Sequence, residues 1–114
     1  MKIRHMRGAG EFREVITSGE KIKGKKLSLY VGRIRDGETP AVGVVVPKRF
    51  AKLAVKRNHI RRLIYSYFRE NGGPCENKKK VVVRLQSSVA EKKRRSLSEV
   101  IRNELASLAE KAKN

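Results

Sequence analysis

The chain predicts an α/β (α+β) two-layer sandwich, with one mostly antiparallel sheet of about four strands and helices packed on it. Three observations predict it. Residues 26–35 (KLSLYVGRIR) alternate with the two-residue period of a strand. Lys79 to Leu85 carries Val81-Val82-Val83, apolar on both faces as in a central strand. Two longer segments, Ala54 to about Glu70 and Ser96 onward, place their apolar residues at helical spacing. With 114 residues and no internal repeat, a single domain spanning 1–114 is expected.

Residues 1–9 (MKIRHMRGA) are basic and irregular, and read as a loose arm. Gly10 to Ser18 read as a short helix with Phe12, Val15 and Ile16 as its apolar stripe, and Gly19 stands where a left-handed C-terminal cap belongs. The stretch from Glu20 to Lys25 leaves room for an extra strand. Leu27, Leu29 and Val31 then face one way, and Ser28, Tyr30 and Gly32 the other. Asp36-Gly37-Glu38-Thr39-Pro40 reads as a turn returning the chain into Ala41–Val46, which predicts an antiparallel hairpin. Pro47 lacks a ladder donor and ends that strand, and a basic loop, 48–53, follows. The long helix stops at Asn71-Gly72-Gly73-Pro74. In the last helix, Ser96-Leu97-Ser98-Glu99 fits a capping box, and Leu97, Val100, Ile101, Leu105 and Leu108 form the buried stripe.

Charge narrows the function. Lys and Arg total 29 against 11 Asp and Glu, a formal net charge of +18 spread along the whole chain. Such an excess destabilises a lone folded domain by self-repulsion, and a polyanionic partner relieves it. The single Cys75 rules out an intrachain disulfide and fits a reducing compartment. No apolar run approaches the roughly 20 residues that span a bilayer. The N-terminus lacks the apolar core of a signal peptide. The expectation is a soluble, intracellular, polyanion-seeking domain.

The long helix carries the sharpest signal. At about 100° per residue, Ile60, Leu63, Ile64, Tyr67 and Phe68 share one face, while Arg57, Asn58, Arg61, Arg62, Tyr65 and Arg69 share the other. The guanidiniums of Arg57, Arg61 and Arg62 can each fork onto phosphate oxygens, and Asn58 can reach phosphate, 2′-hydroxyl or base edge. Lys48, Arg49, Lys52 and Lys56 approach the same helix start, where backbone N–H groups also favour anions. Runs of charge are usually solvated faces, and that reading suffices for Lys78-Lys79-Lys80 and for Lys92-Lys93-Arg94-Arg95. It does not suit the Arg57 row, which is one-signed and lacks the interleaved glutamates of a solvated helix face.

A catalytic site in the polypeptide is not in view. The histidines are His5, in the arm, and His59, read as a local hydrogen-bonding or packing residue. No acidic cluster has the spacing of a Mg²⁺ site, and Cys75 has no CxxC partner for zinc. A second surface is suggested on the sheet. Tyr30 alternates out of phase with its apolar neighbours and, with Phe12, could line a cleft that stacks a single nucleic-acid strand. Phe12 is equally open to a plain core role.

These residues resemble a known family. Gly43-Val44-Val45-Val46-Pro47-Lys48-Arg49, followed by Ala54-Val55-Lys56-Arg57-Asn58-His59-Ile60-Arg61-Arg62-Leu63-Ile64, is similar to the signature of the bacterial ribonuclease P protein subunit. The likeness extends to Glu11-Phe12 opening the first helix, to Leu27-Ser28-Leu29-Tyr30, and to the Val81 strand before a capped final helix. The resemblance implies a non-catalytic polypeptide inside an endoribonuclease holoenzyme, whose RNA subunit cleaves the 5′ leader from precursor tRNA with Mg²⁺ bound mainly by RNA. It implies binding of the ribonuclease P RNA through Lys48, Arg49, Lys52, Lys56, Arg57, Asn58, Arg61 and Arg62. It implies a leader cleft between the sheet and first helix, at Phe12, Ile16 and Tyr30. Tyr65, where members often carry another arginine, joins that set as a stacking group. Ile16 replaces a frequent aromatic, and Val45 and Pro47 replace small hydroxyl residues. The implied fold has a left-handed βαβ crossover around the signature helix, an exception to the usual hand. No membrane and no obligate protein partner are implied, and the location is the bacterial cytoplasm. The same charge and size would also serve a structural ribosomal protein or a general RNA chaperone.

Overall fold

The computed structural model describes residues 3–6, 8–34, 39–71, 79–89 and 93–113. The elements run β1 (Arg4–His5), α1 (Ala9–Ser18), β2 (Glu20–Lys23), β3 (Leu27–Arg33), β4 (Ala41–Val45), α2 (Ala54–Asn71), β5 (Lys79–Leu85) and α3 (Arg94–Lys113). The expected turn at 36–38, the helix stop at 72–74 and Cys75 lie outside the described residues.

One five-stranded sheet holds the molecule together, in the order β1-β4-β5-β3-β2. Its central strand is β5, as the doubly apolar Val81-Val82-Val83 run requires. That position corrects the expected hairpin. β3 and β4 do not pair, because β5 lies between them, antiparallel to β3 and parallel to β4. The tight hairpin is instead β2–β3, with Ile22 opposite Leu29. The sheet is mixed, with two antiparallel pairings that hold most of its paired residues and two shorter parallel ones, and it has five strands where about four are expected. β4, α2 and β5 form a βαβ unit with neighbouring parallel strands.

The alternation of each strand sorts side chains between two faces. On one, Leu27, Leu29, Val42, Val44, Val81, Val83 and Leu85 pack against Ile60, Leu63, Ile64 and Phe68 of α2 and Leu97, Ile101, Leu105 and Leu108 of α3. This is the main core, and it uses the apolar stripes that the helical period marks out. Glu104 ties α3 to the sheet by accepting the backbone N–H groups of Lys26 (2.7 Å) and Leu27 (2.8 Å). On the other face, Met6, Val15, Tyr30, Ala41 and Val82 form a smaller cluster under α1. The ten-residue α1 packs over that cluster, and an open groove runs beside it.

Three details differ from the sequence reading. Arg4–His5, within the expected loose arm, pair in parallel with Ala41 and Val42, and the Met6 N–H reaches the Val42 carbonyl at 2.9 Å. Gly19 is extended (φ −81) rather than left-handed, and its N–H closes α1 on the Val15 carbonyl at 2.8 Å. α3 begins at Arg94, two residues before the expected Ser96 cap, with the Leu97 N–H already bonded to the Lys93 carbonyl at 2.8 Å.

Candidate nucleic-acid interface

The approach to α2 is shaped by Pro47. Its carbonyl accepts the N–H groups of Phe50 (3.1 Å) and Ala51 (3.2 Å), folding residues 47–51 into a tight turn beyond β4. The turn leaves Lys48, Arg49 and Lys52 exposed. Arg49 lies over the Phe50 ring at 4.7 Å, a cation–π contact that orients its guanidinium.

Along α2, the cationic residues divide into two kinds. Arg57 Nη1 donates to the Ala51 carbonyl (3.0 Å) and the Lys52 carbonyl (2.7 Å), so this guanidinium also fastens the loop to the helix. Lys56 Nζ likewise donates to the Val89 carbonyl at 2.9 Å. Arg61 donates to Asn58 Oδ1 at 3.2 Å, which aligns the amide and guanidinium one turn apart, and Arg62 is exposed. Thus Lys48, Arg49, Lys52, Asn58 and Arg62 are exposed and Arg61 is half-buried at the groove, whereas Lys56 and Arg57 spend part of their capacity on the protein. His59 Nε2 meets Ser98 Oγ at 3.0 Å, joining α2 to α3 as the local reading of that histidine expects.

Phe12 and Ile16 of α1 line an open groove of about 540 Å³ together with the Val44–Val46 segment, Arg13 and Arg61. The signature helix and the sheet groove are therefore one continuous surface, joined at Arg61. Tyr30 is only 6% exposed and packs in the cluster beneath α1. It borders a separate small hollow with Lys21, Ser28, Arg49, Phe50 and Arg84. Val45 is in register with Arg84, and Arg84 with Ser28, so the two hollows meet along one row of the sheet. Tyr65 does not line the groove. It stacks on His5 of β1 with ring centroids 3.9 Å apart and planes at 19°. Burial raises the Tyr65 phenol above its ordinary pKa, against opposing effects of the Arg61 guanidinium and a hydrogen bond with the Val44 backbone.

Lys21, Arg84 and Arg13 are cations of this surface that the sequence reading passed over. The signal was present for two of them: Lys21 alternates with Ile22, and Arg84 with Val83 and Leu85, as outward-facing strand residues do. Lys80, expected in a solvated run, is instead buried, its side chain 8% exposed and 3.4 Å from Glu11. Glu11 also binds Arg4, so one carboxylate gathers β1, α1 and β5. Among the described residues, no group of three His, Cys, Asp or Glu side chains is placed to hold a metal ion.

The family model for Ribonuclease P matches residues 1–113. The chain belongs to the ribonuclease P protein family. A ribonuclease P protein component from Pseudanabaena is 27% identical over 101 residues, covering 89% of this chain and 87% of that protein. One from Nitrosomonas europaea is 39% identical over 66 residues, covering 58% of this chain and 55% of its own. A third, from Baumannia cicadellinicola, is 49% identical over 43 residues, and the match spans 37% of that protein. The ribonuclease P protein of Staphylococcus aureus shares the fold with a TM-score of 0.77 at 20% identity, covering 98% of this chain and 97% of that one. That of Thermotoga maritima superimposes with a TM-score of 0.74 at 19% identity, covering 95% and 96%.

Proposed function

We propose that this chain is the protein subunit of a bacterial ribonuclease P holoenzyme, supporting Mg²⁺-dependent endonucleolytic removal of the 5′ leader from precursor tRNA. The observation that carries the reading is the continuity of the α2 cationic face with the sheet groove through Arg61. Lys48, Arg49, Lys52, Asn58, Arg61 and Arg62, with Lys56 and Arg57 behind them, grip the catalytic RNA. Phe12 and Ile16 hold the leader, with Tyr30 supporting the floor beneath α1 and Tyr65 supporting the groove from its stack on His5.

The mechanism is differential binding. Cations on the protein neutralise repulsion between catalytic RNA and substrate, and leader contacts favour precursor over product, which has lost its leader. The polypeptide supplies no catalytic group. Mg²⁺ sits mainly on the RNA. No helix among the described residues is long and apolar enough to cross a membrane; a cytoplasmic location belongs to the same proposal.

Cleavage of precursor tRNA at low Mg²⁺ by a bacterial ribonuclease P RNA, with and without this protein, tests the reading. Cleavage at the mature 5′ end only when both are present is the expected result. Tight RNA binding without stimulation would move the assignment to a ribosomal protein or RNA chaperone, and cleavage by protein alone would reveal a polypeptide active site.

A further inference from the structure

Among the described residues, two large apolar side chains stand in solvent, and both flank the start of α2: Leu53 is 69% exposed and Val55 is 77% exposed. A scattered exposed aliphatic needs no explanation. These two stand two residues apart, in a segment where Lys48, Arg49 and Lys52 are also exposed. Leu53 further occupies the position just before the first helical residue, Ala54. A side-chain oxygen is favoured there, to accept the N–H groups of the first turn. Leucine has none, and the first turn of α2 contains no acidic residue. One short stretch thus breaks two local rules together, and such coincidences mark functional surface. The stretch is also held in place, since Arg57 binds the carbonyls of Ala51 and Lys52 immediately before it.

We propose that Leu53 and Val55 form an apolar contact patch for RNA, seating the base or ribose face of an unpaired nucleotide while the neighbouring cations take its phosphate. The inference rests on the subunit reading and extends it to a residue type that reading does not use. Charge complementarity selects the occupant. A nucleotide joins an apolar ring to an anion, matching an aliphatic pair set among lysines and arginine. An apolar protein partner would strip water from Lys48, Arg49 and Lys52 without replacing it. A second copy of the chain would bring the same +18 charge to the contact.

The test measures affinity for a bacterial ribonuclease P RNA across a series of monovalent salt concentrations. The double variant Leu53→Ala/Val55→Ala is expected to bind about tenfold more weakly, as loss of apolar burial predicts. Its slope of log affinity against log salt stays that of wild type, because no phosphate contact is lost. Arg62→Ala, by contrast, should flatten the slope by about one. Leu53→Ser adds a second readout. It supplies the missing cap, so the free protein should melt at a higher temperature while binding RNA more weakly. Unchanged affinity in the double variant, or a loss accompanied by a flatter slope, overturns the proposal. So does a wild-type dimer that the double variant abolishes, which would assign the patch to a second copy. Failure of the wild-type chain to bind this RNA at all would bring down the subunit reading itself, and the patch with it.

Discussion

The Phe12 ring is seated directly on the backbone of Gly43: a β-carbon there would lie 2.5 Å from Phe12 Cε1 and 3.1 Å from the Met6 sulfur. Gly43 shares its sheet face with Ala41 and Val45, so the groove beside α1 owes its depth to a missing side chain. Gly43→Ala should force the ring outward and destabilise the fold by about 1–3 kcal/mol, as overpacking does. Urea unfolding would measure it. A variant as stable as wild type would mean that Phe12 rides freely above the sheet.

Arg57 and Arg62 should fail in different ways. Arg57 holds two loop carbonyls, so Arg57→Ala should lose about 1–3 kcal/mol of folding stability along with RNA affinity. Exposed Arg62 should lose only affinity and salt dependence on truncation, with its melting temperature unchanged. Equal melting temperatures for the two variants would deny the fastening role of Arg57.

Glu11 compensates Lys80, which is buried between α1 and the sheet. Glu11→Gln keeps the shape and removes the charge, and should cost roughly 2–4 kcal/mol in chemical denaturation. Loss of protection from hydrogen exchange should concentrate in β1 and α1, the two elements the carboxylate ties down. Uniform loss across the sheet would argue against a local tie.

Burial raises the phenol pKa of both Tyr65 and Tyr67 above 10.0. Difference absorbance should therefore show late-ionising phenols that Tyr65→Phe and Tyr67→Phe remove one at a time. The folded state keeps protons that the unfolded chain releases, so the linked stability is complete below the unfolded value and is lost as pH rises through the folded one. Stability that is flat through this alkaline range would contradict the shift.

Much of this arrangement was legible in residue order, and what was not has physical reasons. The register of α2 needed only its period, because Ile60, Leu63, Ile64 and Phe68 must face a core. Pairing was harder. The Asp36–Pro40 turn signal concerns neighbours in sequence, whereas β3 and β4 are neighbours of β5. Two residues cannot announce a period, so β1 exists only through its partners on β4. The phase of Tyr30 was read correctly, on the face opposite Leu29 and Val31, but not that α1 and its neighbours would bury it. Nor could composition reveal that Arg57 spends hydrogen bonds on its own loop.

The place of β5 constrains how the molecule comes into being. Leu27 pairs with Leu85 and Arg33 with Lys79, while Ala41 pairs with Lys80. A chain emerging from the ribosome therefore displays β3 and β4 with no strand to join them until residue 85 is made. Closure of the sheet is a late, long-range event, of the kind that folds slowly. Before that closure the basic α2 segment has already been synthesised, beside ribosomal RNA.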